Sequence, residues 1–466
     1  MGRWKSVIGS PRLAASAVLT LGGLIIYLIN FPGSMEWDSF VQLVEARNKS
    51  YSNWHPPVMS WMLGISDALP GPPAWGFVAF TMLLFFAALI GVVRLKRRVS
   101  WAVVFAGMVL LLLPQFFMLQ AVVWKDTLFA DAVLAGFVAV GFGARMWHRR
   151  AVRFAWLSGA ALLFGLAVLT RQNGAVVVPC AAVALGLIVA RRKRDWRQGT
   201  LYGAGLFLVT GLIAFLGNAA LQLRADDYPA KQEQFKYLQL YDITGMVYRD
   251  LDMPLSVLAR EAPRLEHLIR TEGVARWSPT KVDTLILSPR ILAALDATPA
   301  PVVARQWREI TWHYPGRYLA DRALVFRWVF QPPYVGLCHP FHIGDEGDPA
   351  DLKVLGIQPR MDARDVMLWQ IGDIFLKTPV FSHGLFSVVA LAVLVPLLRR
   401  RRDSDIVISG LIISAFVFTT TFFLISIACD YRYLYLIDIS ALAGVLYVAG
   451  EWRDLLLRKR GPEGPL

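Results

Sequence analysis

Four short polar groupings interrupt an otherwise apolar chain, and each contains residues that can handle a hydroxyl or a phosphate. The first holds Glu36, Trp37 and Asp38, followed by Trp54, His55, Pro56 and Pro57. A carboxylate under aromatic cover becomes more basic, which suits it to take a proton from a hydroxyl. On a helix Glu36 and Asp38 would point to nearly opposite sides, so only an extended segment puts both in one pocket. The stretch from Asp38 to Arg47 also reads as a short amphipathic helix, with Phe40, Val41 and Val44 on its apolar side and Asp38 as the capping carboxylate. Pro56 and Pro57 are placed to open a surface or re-entrant helix from Val58 to Leu69.

The second grouping is Trp124-Lys125-Asp126, a charged turn inside an apolar stretch from Trp101 to Phe142. A charged pair is expensive in lipid and cheap at its surface, so a turn is expected there. A salt-bridged cap on the following helix is the plain reading. Asp131 lies about 140° around that helix from Asp126, which gives it a separate role as a polar contact within the bundle. The third grouping, Thr170-Arg171-Gln172-Asn173-Gly174, is a tight turn in which Arg171 and Gln172 exceed what the turn requires. Anion binding and an interfacial snorkelling arginine explain Arg171 equally well. The fourth is Asp430-Tyr431-Arg432-Tyr433. Arg432 can fork two hydrogen bonds to a phosphate, with Asp430 or the tyrosines fixing its orientation, or it can be a paired arginine in an aromatic belt.

The elements that must position these groups follow from hydropathy. The 466-residue chain is 56% hydrophobic with a mean hydropathy of +0.48, which excludes a soluble globule. About ten spans are expected, near 13–31, 74–93, 100–119, 127–144, 154–170, 174–190, 200–221, 380–398, 405–428 and 433–450. These spans are nearly free of charge except for Asp131. The first is read as an uncleaved span rather than a signal peptide. Basic runs at Arg3 and Lys5, 94–98, 145–153, 191–197, 399–402 and 453–460 recur after every second span. By the positive-inside rule they mark the cytoplasmic face, so both termini are cytoplasmic. The four polar groupings then share the outer face. The net charge of +14 belongs to these loops and to anionic lipid; no nucleic-acid partner is expected.

This gives an all-α polytopic membrane protein with three parts. Residues 1–221 form an N-terminal transmembrane module with a long first outer loop at 32–73. Residues 222–379 form an outer subdomain between spans seven and eight, and 380–466 form a C-terminal transmembrane module with a basic tail. Within the subdomain, 307–330 suits an interfacial helix or ordinary packing on the bundle. Cys338 and Cys429 both fall on the outer side and could pair, but free buried thiols are the expected state.

Asp38 in the first outer loop, the later His55-Pro56-Pro57, the charged turn Lys125-Asp126, the Arg171-Gln172 turn and the Asp430-Tyr431-Arg432-Tyr433 element together resemble the membrane glycosyltransferases of the GT-C superfamily. The protein O-mannosyltransferase-like and aminoarabinose-transferase-like groups are closest in style. The resemblance implies a polyprenyl-phosphate-linked sugar donor, an outer-face acceptor (glycan, lipid or protein) and a site on the periplasmic face of a bacterial inner membrane. It implies Asp38 as general base in an inverting hexosyl or pentosyl transfer, with His55 a second catalytic-site residue that contacts the phosphate or caps the surface helix. Arg171, Gln172, Arg432 and Lys125 would hold the donor phosphate, supported by Glu36, Asp126, Asp430 and Tyr431. Asp126 either orients Lys125 or helps to hold a divalent metal, magnesium or manganese; one Asp and one His are an incomplete ligand set. Ser39 departs from the pattern, because relatives often carry a second acid there. The alternatives are a lipid or sugar transporter or flippase, which charge-free spans disfavour, and an envelope ligase or acyltransferase of another fold.

Overall fold

The structure is a computed structural model that describes residues 10–51, 55–96, 98–223 and 232–451. Trp54 and the basic runs at the two ends of the chain lie outside the described residues.

Among the described residues nine helices are long and apolar enough to cross a membrane, or ten if one bent pair counts as a span. In chain order the bundle and first loop comprise α1 (Pro11–Asn30), α2 (Trp37–Asn48), α3 (Pro57–Asp67), α4 (Trp75–Arg94), α5 (Ala102–Leu111), α6 (Lys125–Arg145), α7 (Arg150–Thr170), α8 (Val177–Lys193) and α9 (Trp196–Gln222). There follow α10 (Gln232–Arg249), α11 (Ala300–His313), α12 (Pro315–Phe330), α13 (Ala363–Leu376), α14 (His383–Arg400), α15 (Asp403–Ile425) and α16 (Tyr435–Ala449). The protein is a multi-pass membrane protein, all α-helical, with isolated bridges and no sheet among the described residues.

α6 is the hub. It is buried almost along its whole length and packs on α4, α7, α15 and α16. α9 leaves most of one face exposed, as a lipid-facing helix should.

The span expected at 100–119 is not one straight helix. α5 ends at Leu111, and a second piece starting at Pro114 runs on at a bend of 67°. Proline has no N–H to give to the preceding turn but fits a first helical turn, so the chain breaks before Pro114 and restarts at it. The bend turns 119–123 back under the first loop. There Ser34 N–H donates to Ala121 O (2.9 Å) and Val123 N–H to Ser34 O (3.0 Å).

The basic clusters meet at one end of the bundle. Glu451 binds Lys96 (3.0 Å), Arg400 (2.8 Å) and Arg402 (3.1 Å), while Arg192 binds Asp403 (2.5 Å). α6 ends there with Arg145 and begins at the opposite end with Lys125 and Asp126.

Residues 240–310, between α9 and α14, carry a core of their own, including Leu240, Ile243, Leu258, Ile269, Leu295 and Ile310, whereas Val329, Cys338, Ile343 and Leu368 belong to the core of the bundle. The segment 307–330 is two helices broken at Tyr314-Pro315, and α12 packs on α15. The Arg322 of α12, fully buried, binds Asp242 (2.9 Å) and donates to Phe423 O (2.8 Å), tying α10 and α12 to the end of α15.

Two expectations are overturned. Cys338 and Cys429 are a disulfide, not free thiols: the chain brings their Cα atoms to 5.0 Å, within bridging distance. The spans also hold buried acids besides Asp131, among them Asp405 and Asp438. Asp438 accepts from Tyr431 Oη (2.6 Å) and faces His383 Nδ1 (2.9 Å), while Asp131 accepts from Gln120 (2.9 Å). Partners inside the bundle make these charges tolerable, and hydropathy alone does not reveal them. The argument from charge-free spans against a transporter therefore falls.

The disulfide closes a loop of sequence separation 91, for which chain entropy gives a stabilisation of roughly 4–5 kcal/mol. Replacing Cys429 by Ser should lower the thermal unfolding midpoint in detergent, and reduction should have no further effect on the variant.

Candidate functional site

α2 starts at Trp37, one residue earlier than expected, with Glu36 rather than Asp38 as the cap. Glu36 has extended backbone and Asp38 lies in the first turn. The two carboxylates therefore share a pocket without an extended segment: the change of backbone at the cap turns both side chains the same way. Ser39, where relatives often carry a second acid, is a tie instead. It accepts from Glu36 N–H (3.3 Å) and donates to Val123 O (2.9 Å), fixing the start of α2 against the entry to α6.

Arg432 is the centre of the cluster. Its guanidinium contacts Glu36, Asp38 (2.8 Å), Asp430 (3.1 Å) and Asp126 (3.7 Å). Asp126 also pairs with Arg171. It does not pair with Lys125, which lies instead in electrostatic range of Asp38, Arg171 and Asp430. Adjacent positions at a helix start face different ways, so Lys125 and Asp126 reach different neighbours. Aromatic rings wall the cations. Arg432 lies 5.4 Å from the Trp124 ring, and Arg171 lies 5.0 Å from Phe422 and 5.4 Å from Tyr433. These contacts hold the planar groups by their faces and leave their edges to the carboxylates.

Exposure divides the site. The Asp126 side chain is 1% exposed and Asp38 31%, so the arginines form the deep side and Asp38 the open side. His55 Nε2 is 3.9 Å from Asp38. Burial pushes His55 down to about 4, with Asp38 opposing and Lys125 adding to the fall. The imidazole is thus neutral near pH 7 and is not a cationic phosphate ligand. Burial pushes Asp430 up to about 7, reinforced by Asp38 and Asp283.

Two sequence candidates stand apart. Gln172 is exposed at the start of a short 3-10 turn, and no contact joins it to the cluster among the described residues. Tyr431 points into the bundle rather than at Arg432. It stacks on His383 (4.1 Å), accepts from Gln115 (2.9 Å) and donates to Asp438. Its service is to anchor the turn that carries Asp430 and Arg432. Sequence reasoning offered the tyrosines as supports of Arg432, but it missed Trp124 as a ring wall, and Asp438, Gln115 and His383 as the anchor. The signal for the anchor was an acid in a span, Asp438, at helical spacing from Tyr431.

A divalent metal does not fit these residues. Both oxygens of Asp126 face guanidinium groups, and the other acids surround Arg432. Among the described residues no group of three or more His, Cys, Asp or Glu could hold an ion.

Two predictions follow from this geometry. A histidine held neutral takes up its proton less readily when folded than when unfolded, so stability falls as pH drops from about 6.5 towards 4. Between pH 7 and 5 wild type should lose about 2 kcal/mol more than His55→Gln, read as a larger fall in unfolding midpoint. Tyr431→Phe leaves the buried Asp438 short of a donor and should destabilise the protein by roughly 1–3 kcal/mol, whereas Gln172→Ala should leave the unfolding midpoint unchanged.

Residues 54–218 match the family described as dolichyl-phosphate-mannose-protein mannosyltransferase. No curated protein matches the chain. Three solved structures of the oligosaccharyltransferase of Archaeoglobus fulgidus are similar. AglB in complex with an inhibitory peptide and a dolichol-phosphate is 13% identical, with a TM-score of 0.43, over 97% of this chain and 52% of that one. The enzyme with Zn and sulfate is 15% identical, with a TM-score of 0.43, over 95% and 50%. The enzyme tethered to an acceptor peptide containing the NVT sequon is 14% identical, with a TM-score of 0.44, over 95% and 50%. The chain thus spans about half the length of these relatives. The match over 54–218 bears out the resemblance read from the outer-loop motifs: the chain is similar to the membrane glycosyltransferases of the GT-C superfamily.

Proposed function

We propose that the protein is an integral membrane glycosyltransferase that moves a sugar from a polyprenyl-phosphate donor to a hydroxyl acceptor. The observation that carries this reading is the meeting of Glu36, Asp38, Asp126, Arg171, Asp430 and Arg432 in one cluster. It forms at the end of the bundle opposite the basic runs. On the positive-inside rule that end is the outer, periplasmic one.

The donor phosphate takes the deep side. Arg432 and Arg171 exchange carboxylate partners for phosphate oxygens. Lys125 adds a point charge. Asp38, open to solvent, takes the proton from the acceptor hydroxyl. The acceptor oxygen bonds to the anomeric carbon as the bond from that carbon to the phosphate oxygen breaks. The electron pair leaves with the phosphate, and a single displacement inverts the anomeric centre. The transition state has oxocarbenium character, and the fixed cations stabilise the departing anion. His55, neutral and 3.9 Å from Asp38, lines the side of the carboxylate away from solvent. No step passes through a metal.

The test uses purified protein and undecaprenyl-phosphate sugars, following release of the free carrier phosphate. Asp38→Asn should lower kcat by about 10²–10⁴-fold with little change in donor KM. Full activity in a stably folded Asp38→Asn protein would remove the assigned base. Arg432→Lys keeps the charge and loses the fork, so donor KM should rise about tenfold or more; an unchanged KM would remove Arg432 from the phosphate site.

A further inference from the structure

The open side of the cluster is built from chain outside the four groupings. Lys281 pairs with Ala428 across an isolated antiparallel bridge, and Cys429 N–H donates to Thr280 O (2.9 Å). One residue beyond each partner of the Cys338–Cys429 disulfide stand His339 and Asp430. Two independent ties thus hold 280–283 and 338–339 against the turn that carries Arg432.

The side chains there are exposed and polar. Lys281, Asp283 and His339 all face solvent. Asp283 lies in electrostatic range of Asp38, Lys281 and His339, and His339 in range of Lys281, Asp283 and Glu346. On the other flank Met35 pairs with Asp345, and Glu346 N–H donates to Met35 O (3.0 Å), so Glu346 borders the same opening.

An acceptor can reach Asp38 only from its exposed edge, because Arg432 and the buried His55 occupy the rest. Asp283 is a second carboxylate in range of that edge. It has no guanidinium partner among the described residues, unlike the acids around Arg432. Carboxylates accept hydrogen bonds strongly. A molecule whose one hydroxyl gives its proton to Asp38 can give a hydrogen bond from a neighbouring hydroxyl to Asp283.

We propose that Asp283, flanked by Lys281 and His339, is the acceptor-positioning wall of the site, and that the acceptor is a polyol, a saccharide carrying a second hydroxyl beside the reacting one. This rests on the glycosyltransferase reading. Asp283 acts by binding that neighbouring hydroxyl and takes no part in bond making.

The experiment uses the full-length protein, an undecaprenyl-phosphate sugar that it turns over, and a panel of methyl glycosides with their single-deoxy analogues as acceptors. A serine/threonine peptide is the comparison. For wild type, removing the hydroxyl beside the reacting one should lower kcat/KM about 10- to 100-fold. Asp283→Asn should lower kcat/KM for the intact glycoside by a similar factor and abolish discrimination against the deoxy analogue. Donor KM should not change, and Asp283→Glu should restore part of the loss. The proposal is overturned if Asp283→Asn discriminates as wild type does, if it changes donor KM alone, or if wild type glycosylates the peptide and no glycoside. A wild type that turns over no polyprenyl-phosphate sugar would instead overturn the glycosyltransferase reading.

Discussion

One guanidinium organises this molecule. Arg432 is 8% exposed and contacts four carboxylates drawn from the first loop, the start of α6 and its own turn. An arginine taken out of water costs several kcal/mol unless its charge and hydrogen-bonding edges are met. The fold meets them by bringing distant segments to one point. Removing the guanidinium would leave acids facing one another in a half-dry cleft. A bilayer-level site for an anion has this same need, since fixed cations must wait there without collapsing onto lipid. On the proposed function, the acids keep the place that a phosphate would take.

Arg432 can be held so because its turn is fixed from behind. Tyr431 turns inward onto Gln115, His383 and Asp438, and Cys429 is bridged to Cys338. Asp430 and Arg432, on either side of Tyr431, are thereby directed into the cleft. The break at Pro114 contributes as well. It returns the chain so that Val123 can bind Ser34 and Ser39, which sets α2 and α6 start to start. Segments far apart in sequence thus meet through backbone ties close to the cleft.

Much of this was legible in the sequence, for identifiable reasons. Apolar runs and basic clusters report on the bilayer, a solvent with simple rules, so spans and their alternation were readable. Asp38, Arg171 and Arg432 stood out as charges that the topology did not require. Pairings were less readable because they depend on three-dimensional approach. Lys125 and Asp126 are neighbours in sequence yet serve different partners, and Gln172 adjoins Arg171 yet lies outside the cluster. Asp438 was hidden in a strongly apolar span, since a buried acid is tolerated once tyrosine and histidine partners arrive from other helices. Asp283 was unremarkable in a polar loop until the bridge between Lys281 and Ala428 set that loop against the turn that carries Arg432.

The most direct test of the account is an experimental structure of the protein with undecaprenyl phosphate bound. The account predicts the phosphate between Arg432 and Arg171, with Asp126 drawn away from at least one of them and the isoprenoid chain leaving towards lipid. Density for the phosphate at the basic end, near Lys96 and Arg400, with the Arg432 cluster undisturbed, would contradict it.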